Sequence, residues 1–175
     1  MPNSTGVDKE YDLRELQPSI ENQKSPSHLD LANMRQLPGR NVRIGNAGDL
    51  RDIAKIMSLG VEAVVEVADS EPPAQLPREL THCRIPLADA GENDVWRLQL
   101  AITTTSSLLG ARVPLLICCS AGMSRSVCLA AAGLALTEGR PFAEVLAEIT
   151  ATGPVDLSPE FAIQIRTCLK TLGSS

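Results

Sequence analysis

In the stretch CSAGMSRS, residues 119–126, a cysteine and an arginine are separated by five mostly small residues, and a serine follows the arginine directly. Ser120, Ala121, Gly122, Met123 and Ser124 form a loop whose backbone can curl into a concave nest of N–H donors, and Gly122 permits the positive φ that the curl needs. Such a nest binds an oxyanion. Arg125 closes it with a planar guanidinium, whose paired donors match phosphate oxygens in a way that lysine cannot. The field that attracts phosphate also favours the thiolate, the nucleophilic form of cysteine. Cys119 at the floor of the nest is then an in-line nucleophile towards phosphorus. Ser126 offers a hydroxyl to steady the sulfur when water displaces it from a thiophosphate.

These residues need a strand behind them and a helix in front. The run VPLLIC before the loop is apolar without alternation, as in a strand covered on both faces of a parallel sheet, with Pro114 at its beginning. SVCLAAAGLALTEG after the loop is apolar almost all round and predicts a buried helix. A loop between such a strand and helix lies where ligands bind in open α/β sheets, beyond the carboxyl ends of the strands.

Further strands are expected at NVRIGN, VEAVVEVA and HCRIPLAD. GDLRDIAKIMSLG predicts a helix presenting Leu50, Ile53, Ala54 and Met57, capped by Asp49 and ended by Gly60. NDVWRLQLAITTTSSLLG predicts another, with Val95, Leu98, Ile102, Thr105 and Leu109 on one face and Asn93 or Asp94 as its cap. PFAEVLAEIT and a segment opened by Ser158 and Pro159 supply two more. The alternation predicts an α/β domain with a central, mostly parallel sheet flanked by helices.

Cys119, five residues, Arg125 and Ser126 form a C-x5-R-[ST] loop, and in this the chain resembles the cysteine-dependent protein phosphatases. The string CSAGMSRS is similar to the dual-specificity subgroup in particular. The resemblance spans roughly residues 40 to 172 in element order and implies a dual-specificity phosphatase-like fold. It also implies hydrolysis of phosphomonoesters through a phosphocysteine, with neither metal nor cofactor. It further implies a general acid, an aspartate on a separate loop about thirty residues before the cysteine. IPLADAGEND offers Asp89 at that distance, just beyond a strand end. Glu92 and Asp94 compete for the role, but Asp94 has a ready place as a helix cap. The resemblance thus assigns Cys119 as nucleophile, Arg125 as phosphate clamp, Asp89 as acid and base and Ser126 as the aid to dephosphorylation. The backbone of Ser120 to Arg125 forms the cradle. The chain departs from the family where a histidine usually precedes the cysteine, because Cys118 stands there.

The rest of the chain narrows the possibilities. With 175 residues, 43% of them hydrophobic, it is long enough for one well-filled core, hence one site. A net charge of -5 with no basic cluster argues against nucleic acid or an anionic membrane as partner, and 2% aromatics supply few base-stacking platforms. No apolar run suits membrane insertion, and the N-terminus does not read as a signal peptide, so a cytoplasmic protein is expected. Five cysteines without a regular framework suggest free thiols, and the absence of any C-x-x-C pair argues against zinc. Cys83, Cys128 and Cys168 read as core residues. His82 beside Cys83 lacks an anion nest, Asp156 reads as a turn residue, and Arg84, Arg97 and Arg166 are rim or solvated residues.

Residues 1–38, polar and punctuated by Pro2, Pro18, Pro26 and Pro38, read as an extension before a catalytic domain at 39–175, with a helical patch at KEYDLRELQ. The expected substrate is a phosphorylated protein or another phosphomonoester. No lysine stands between Cys119 and Arg125, which argues for phosphotyrosine, phosphoserine or phosphothreonine over a polyanionic inositol phosphate. The alternatives are a phosphate-binding pseudo-phosphatase without turnover and a sulfur-transfer protein using the same nest.

Overall fold

The computed structural model describes residues 34–173; the KEYDLRELQ patch and the rest of residues 1–33 lie outside the described residues. Strands β1 (Arg35–Gln36), β2 (Val42–Asn46), β3 (Ala63–Glu66), β4 (Thr81–Arg84) and β5 (Leu115–Cys119) form one sheet in the order β1-β2-β5-β3-β4. β1 runs antiparallel to β2 and every other pair is parallel. The sheet therefore starts before residue 38. Met34 and Leu37 are buried beside β1, two apolar anchors hidden in a polar stretch.

β5 is buried along its whole length in the middle of the sheet. Side chains alternate along a strand, so Leu115, Ile117 and Cys119 enter the larger core while Leu116 and Cys118 enter a smaller one on the opposite face. Helices α2 (Val95–Gly110), α3 (Arg125–Glu138), α4 (Phe142–Thr150) and α5 (Pro159–Leu172) enclose the larger core. The smaller core is covered by a 3-10 turn at Asp49–Arg51 and the short α1 (Ile53–Ser58). This is the mostly parallel, helix-flanked sheet expected from the alternation of elements.

The first expected helix is broken into these two pieces. Asp52, not Asp49, caps α1, accepting from Lys55 N at 3.0 Å. Asp49 instead accepts from Asn46 N at 2.8 Å and closes the turn after β2. The break shifts the helical phase, so Leu50 and Ile56 are buried while Met57 is 45% exposed. In α2, Leu98, Ile102 and Thr105 face the core as expected, but Val95 is exposed because it opens the helix beyond the core's edge. α5 starts as its sequence predicts, with Ser158 Oγ accepting from Phe161 N at 3.2 Å and Pro159 in the first turn.

Candidate active site

Two loops meet at the carboxyl edge of the sheet. One joins β5 to α3 and carries residues 120–124; the other follows β4 and carries Asp89 before α2 begins. α2 and α3 pack against each other more extensively than any other pair of elements, which fixes the loops that precede them.

Gly122 adopts φ +75°, and a Cβ there would lie 2.9 Å from Gly45 O, so only glycine lets this loop fold back against β2. In that curl Gly122 N–H donates to Cys119 Sγ at 3.2 Å, and Ser126 Oγ lies 3.2 Å from the same sulfur. Cys119 and Ser126 are buried. Main-chain bonds hold the loop on both flanks. Ala47 N donates to Ser120 O at 3.4 Å, and Asp156 N to Met123 O at 3.1 Å.

Arg125 is also buried, and its guanidinium is held on three sides. Nη1 donates to Asp69 Oδ1 at 2.5 Å and to Leu87 O at 2.7 Å, and Nη2 donates to Ser120 Oγ at 2.6 Å. Nε has no hydrogen-bond partner among the described residues, though Asp89 Oδ1 stands 3.8 Å away. Ser120 Oγ donates in turn to Glu71 Oε2 at 2.8 Å. Burial pushes the Asp69 carboxyl up, but the hydrogen bond from Arg125 and its charge outweigh this and hold it below the ordinary value.

Asp89 is brought to the loop by Ser124, whose hydroxyl donates to Asp89 Oδ1 at 2.7 Å and accepts from Ser158 N at 3.0 Å. Ser158 Oγ donates to Asp89 O at 2.7 Å, so the start of α5 holds the same turn. Of the two residues expected to cap α2, Asp94 holds the N-cap position without a side-chain cap bond, and Asn93 braces the loop. Its side chain bonds Ala88 N at 2.7 Å, Ala88 O at 2.9 Å and Gln164 Oε1 at 3.1 Å. Glu92 and Asp94 are exposed, and Asp94 pairs with Arg97 at 3.3 Å.

The structure thus brings Cys119, Ser124, Arg125, Ser126 and Asp89 together. Ala121, Gly122 and Met123 form the middle of the loop. The sequence reading missed Asp69 and Glu71. The string ADSEPP carried the signal, two carboxylates just beyond the carboxyl end of β3, at the edge where Cys119 also lies. Arg84 steadies that segment through Ala68 O at 3.4 Å and Glu71 O at 3.3 Å. His82 bonds Glu66 Oε2 at 2.8 Å, whereas Cys83 packs on the opposite face of the sheet. Among the described residues, no group of three or more His, Cys, Asp or Glu side chains could hold a metal ion, and no helix is long and apolar enough to cross a membrane.

The sequence matches no protein-family model and no curated protein. Its fold is similar to that of dual-specificity phosphatases. Human DUSP28 is 21% identical, covering 78% of this chain and 96% of that one, with a TM-score of 0.67. DUSP15 is 23% identical over 80% of this chain and 94% of that one, with a TM-score of 0.64. The human tyrosine phosphatase-like serine/threonine/tyrosine-interacting protein is 14% identical over 81% and 98%, with a TM-score of 0.67.

Proposed function

We propose that this protein hydrolyses phosphomonoesters, a phosphorylated protein being the favoured substrate, through a phosphocysteine and without a metal. The observation that carries the reading is the convergence of donors on one buried sulfur: Gly122 N–H and the Ser126 hydroxyl meet Cys119 Sγ directly, beside the Arg125 guanidinium. These groups are fixed before substrate arrives, and preorganised donors stabilise developing charge without reorganisation.

In the first step Cys119 Sγ attacks phosphorus and the phosphorus–oxygen bond to the leaving group breaks. The Asp89 carboxyl gives its proton to the departing oxygen. The backbone of residues 120–125 and the Arg125 guanidinium hold the three remaining phosphoryl oxygens. In the second step water attacks phosphorus and gives a proton to the Asp89 carboxylate. The phosphorus–sulfur bond breaks, inorganic phosphate leaves, and Ser126 Oγ donates a hydrogen bond to the returning thiolate. Ser124 positions Asp89 for both steps. The structural neighbours are phosphatases by name, which supports the reading.

A second reading, a phosphate-binding protein without turnover, is favoured by Cys118 standing where the resemblance leads one to expect a histidine. Release of p-nitrophenol from p-nitrophenyl phosphate in EDTA and reductant separates the two. The hydrolase reading expects turnover that disappears in Cys119→Ser and a phosphorylated cysteine trapped by acid quench. Phosphopeptide binding with equal, negligible turnover in both proteins would establish the second reading.

A further inference from the structure

The first two turns of α2 present three large apolar side chains to solvent: Val95 is 61% exposed, Trp96 60% and Leu100 44%. Trp96 and Leu100 lie one turn apart on the same face, and Val95 adjoins Trp96 in the chain. Among the described residues, the other exposed large apolar side chains, Met57, Leu136 and Ile163, stand singly on separate helices. Scattered apolar residues on a surface need no explanation, whereas a contiguous ridge marks a place for contact. Trp96 is the only tryptophan of the chain. The Arg97 guanidinium lies 5.3 Å from the indole centroid, and its Nε stands 3.3 Å from Asp94 Oδ2. A cation held by a carboxylate therefore steadies the ring while most of the side chain faces solvent.

The ridge borders the candidate site. Asn93 bonds both Ala88 N and Ala88 O, which closes the turn carrying Asp89 and pins the start of α2 beside it. Trp96 follows Asn93 by three residues, less than one helical turn of about 5.4 Å. The same turn is held from α5, where Gln164 Nε2 donates to Gly91 O at 2.8 Å and Glu160 Oε2 accepts from Gly91 N at 3.3 Å. The base of the ridge is acidic. Glu92, Asp94 and Glu160 are all exposed, and of these only Asp94 has an ion-pair partner among the described residues. An apolar ridge with an acidic base complements a segment that joins a large apolar residue to a basic one. A second copy of this chain suits it poorly, since a two-fold contact would set the acidic base of one ridge against that of the other.

We propose that Val95, Trp96 and Leu100 form a docking ridge for the chain of a phosphorylated protein substrate, taking a large apolar residue with a basic neighbour that flanks the phosphorylated residue. The proposal rests on the phosphatase reading for the identity of the substrate. Tryptophan is the side chain that most often dominates such contacts, and here its ring is steadied before the partner arrives.

The test uses the full chain carrying Cys119→Ser and two phosphotyrosine peptides. One has a leucine–lysine pair about three residues to either side of the phosphotyrosine, and the other has alanine and glutamine in the same places. By fluorescence polarisation of labelled peptides, the leucine–lysine peptide should bind roughly tenfold tighter, the scale for covering one large apolar side chain. Unlabelled, it alone should shift the emission of the single tryptophan. Adding Trp96→Ala should abolish the preference and leave the alanine–glutamine peptide unaffected, and Leu100→Ala should reduce the preference. Equal binding of the two peptides, binding of neither, a preference that survives Trp96→Ala, or an unmoved emission overturns the proposal. So does emission that varies with protein concentration and not with peptide, which would assign the ridge to a second copy. Turnover of p-nitrophenyl phosphate by the wild-type chain reports separately on the phosphatase reading, because that substrate has no flanking chain. Trp96→Ala in the wild-type background should turn it over equally well, and a loss there would place Trp96 in the acid loop's work and overturn the docking role.

Discussion

Cys118 and Cys119 share a peptide bond, yet the sheet sends the first thiol to the face covered by α1 and the second to the face from which α3 departs. Cys118 meets no donor among the described residues. Burial pushes its thiol well above the ordinary value, and the charges of Asp49, Cys119 and Glu66 add to the effect. Cys119 receives an N–H from Gly122 and lies beside the Ser126 hydroxyl. Two identical side chains thus differ in surroundings because of strand alternation alone. The proposed chemistry belongs to the Cys119 face, and packing to the Cys118 face. That division also removes the vicinal pair as a natural disulfide, since the thiols point to opposite sides of β5.

The largest expected contrast comes from substituting each thiol in turn. Cys119→Ser should abolish turnover of p-nitrophenyl phosphate, whereas Cys118→Ala should retain it and lose about 1 kcal/mol of stability in urea melts. Loss of turnover in both proteins would break the division between the faces. Next in size, Asp89→Asn should lower kcat by roughly 10²- to 10⁴-fold towards substrates with poor leaving groups, measured in steady state. Glu92→Gln and Asp94→Asn should leave kcat unchanged, which sharpens the choice among the three carboxylates. Ser126→Ala should slow the second step roughly tenfold, seen as a burst of p-nitrophenol followed by a slower steady rate.

The last effect is on alkaline stability and leaves turnover at neutral pH untouched. Burial first, then the charges of Asp89 and Cys119, push the Cys128 thiol up to about 12 from an ordinary 9.0. Above pH 9 the unfolded chain releases this proton while the folded chain keeps it, so stability is full below that pH and falls as pH rises towards about 12. The slope is at most about 1.4 kcal/mol per pH unit for each such thiol. Cys128→Ala and Cys118→Ala should each flatten the fall in urea melts taken across pH 8 to 11.

Much of this arrangement was legible in the sequence because its signals are local. The apolar run at Leu115–Cys119, the small residues after it and Arg125 at its fixed offset fall within one strand–loop–helix unit, and periodicity places such units well. Asp89 was singled out by the resemblance, which calls for an aspartate about thirty residues before the cysteine, and by its place after a strand. Asp69 and Glu71 were missed because their role depends on β3 lying beside β5, and sheet order is a long-range property that local patterns do not encode. Met34 and Leu37 were missed for a related reason, since they sit in a stretch whose average polarity masked them and are buried only where β1 joins the sheet. The α1 cap was misassigned because two aspartates three residues apart compete for it, and only the turn after β2 decides between them.

The thiol loop is tied to its neighbours by the main chain, through Ala47 N to Ser120 O and Asp156 N to Met123 O. Neither bond uses a side chain of the loop. Ala121 and Met123 are therefore open to variation in size and polarity while the loop keeps its shape, so engineered libraries can alter which molecules the loop admits without first rebuilding its backbone.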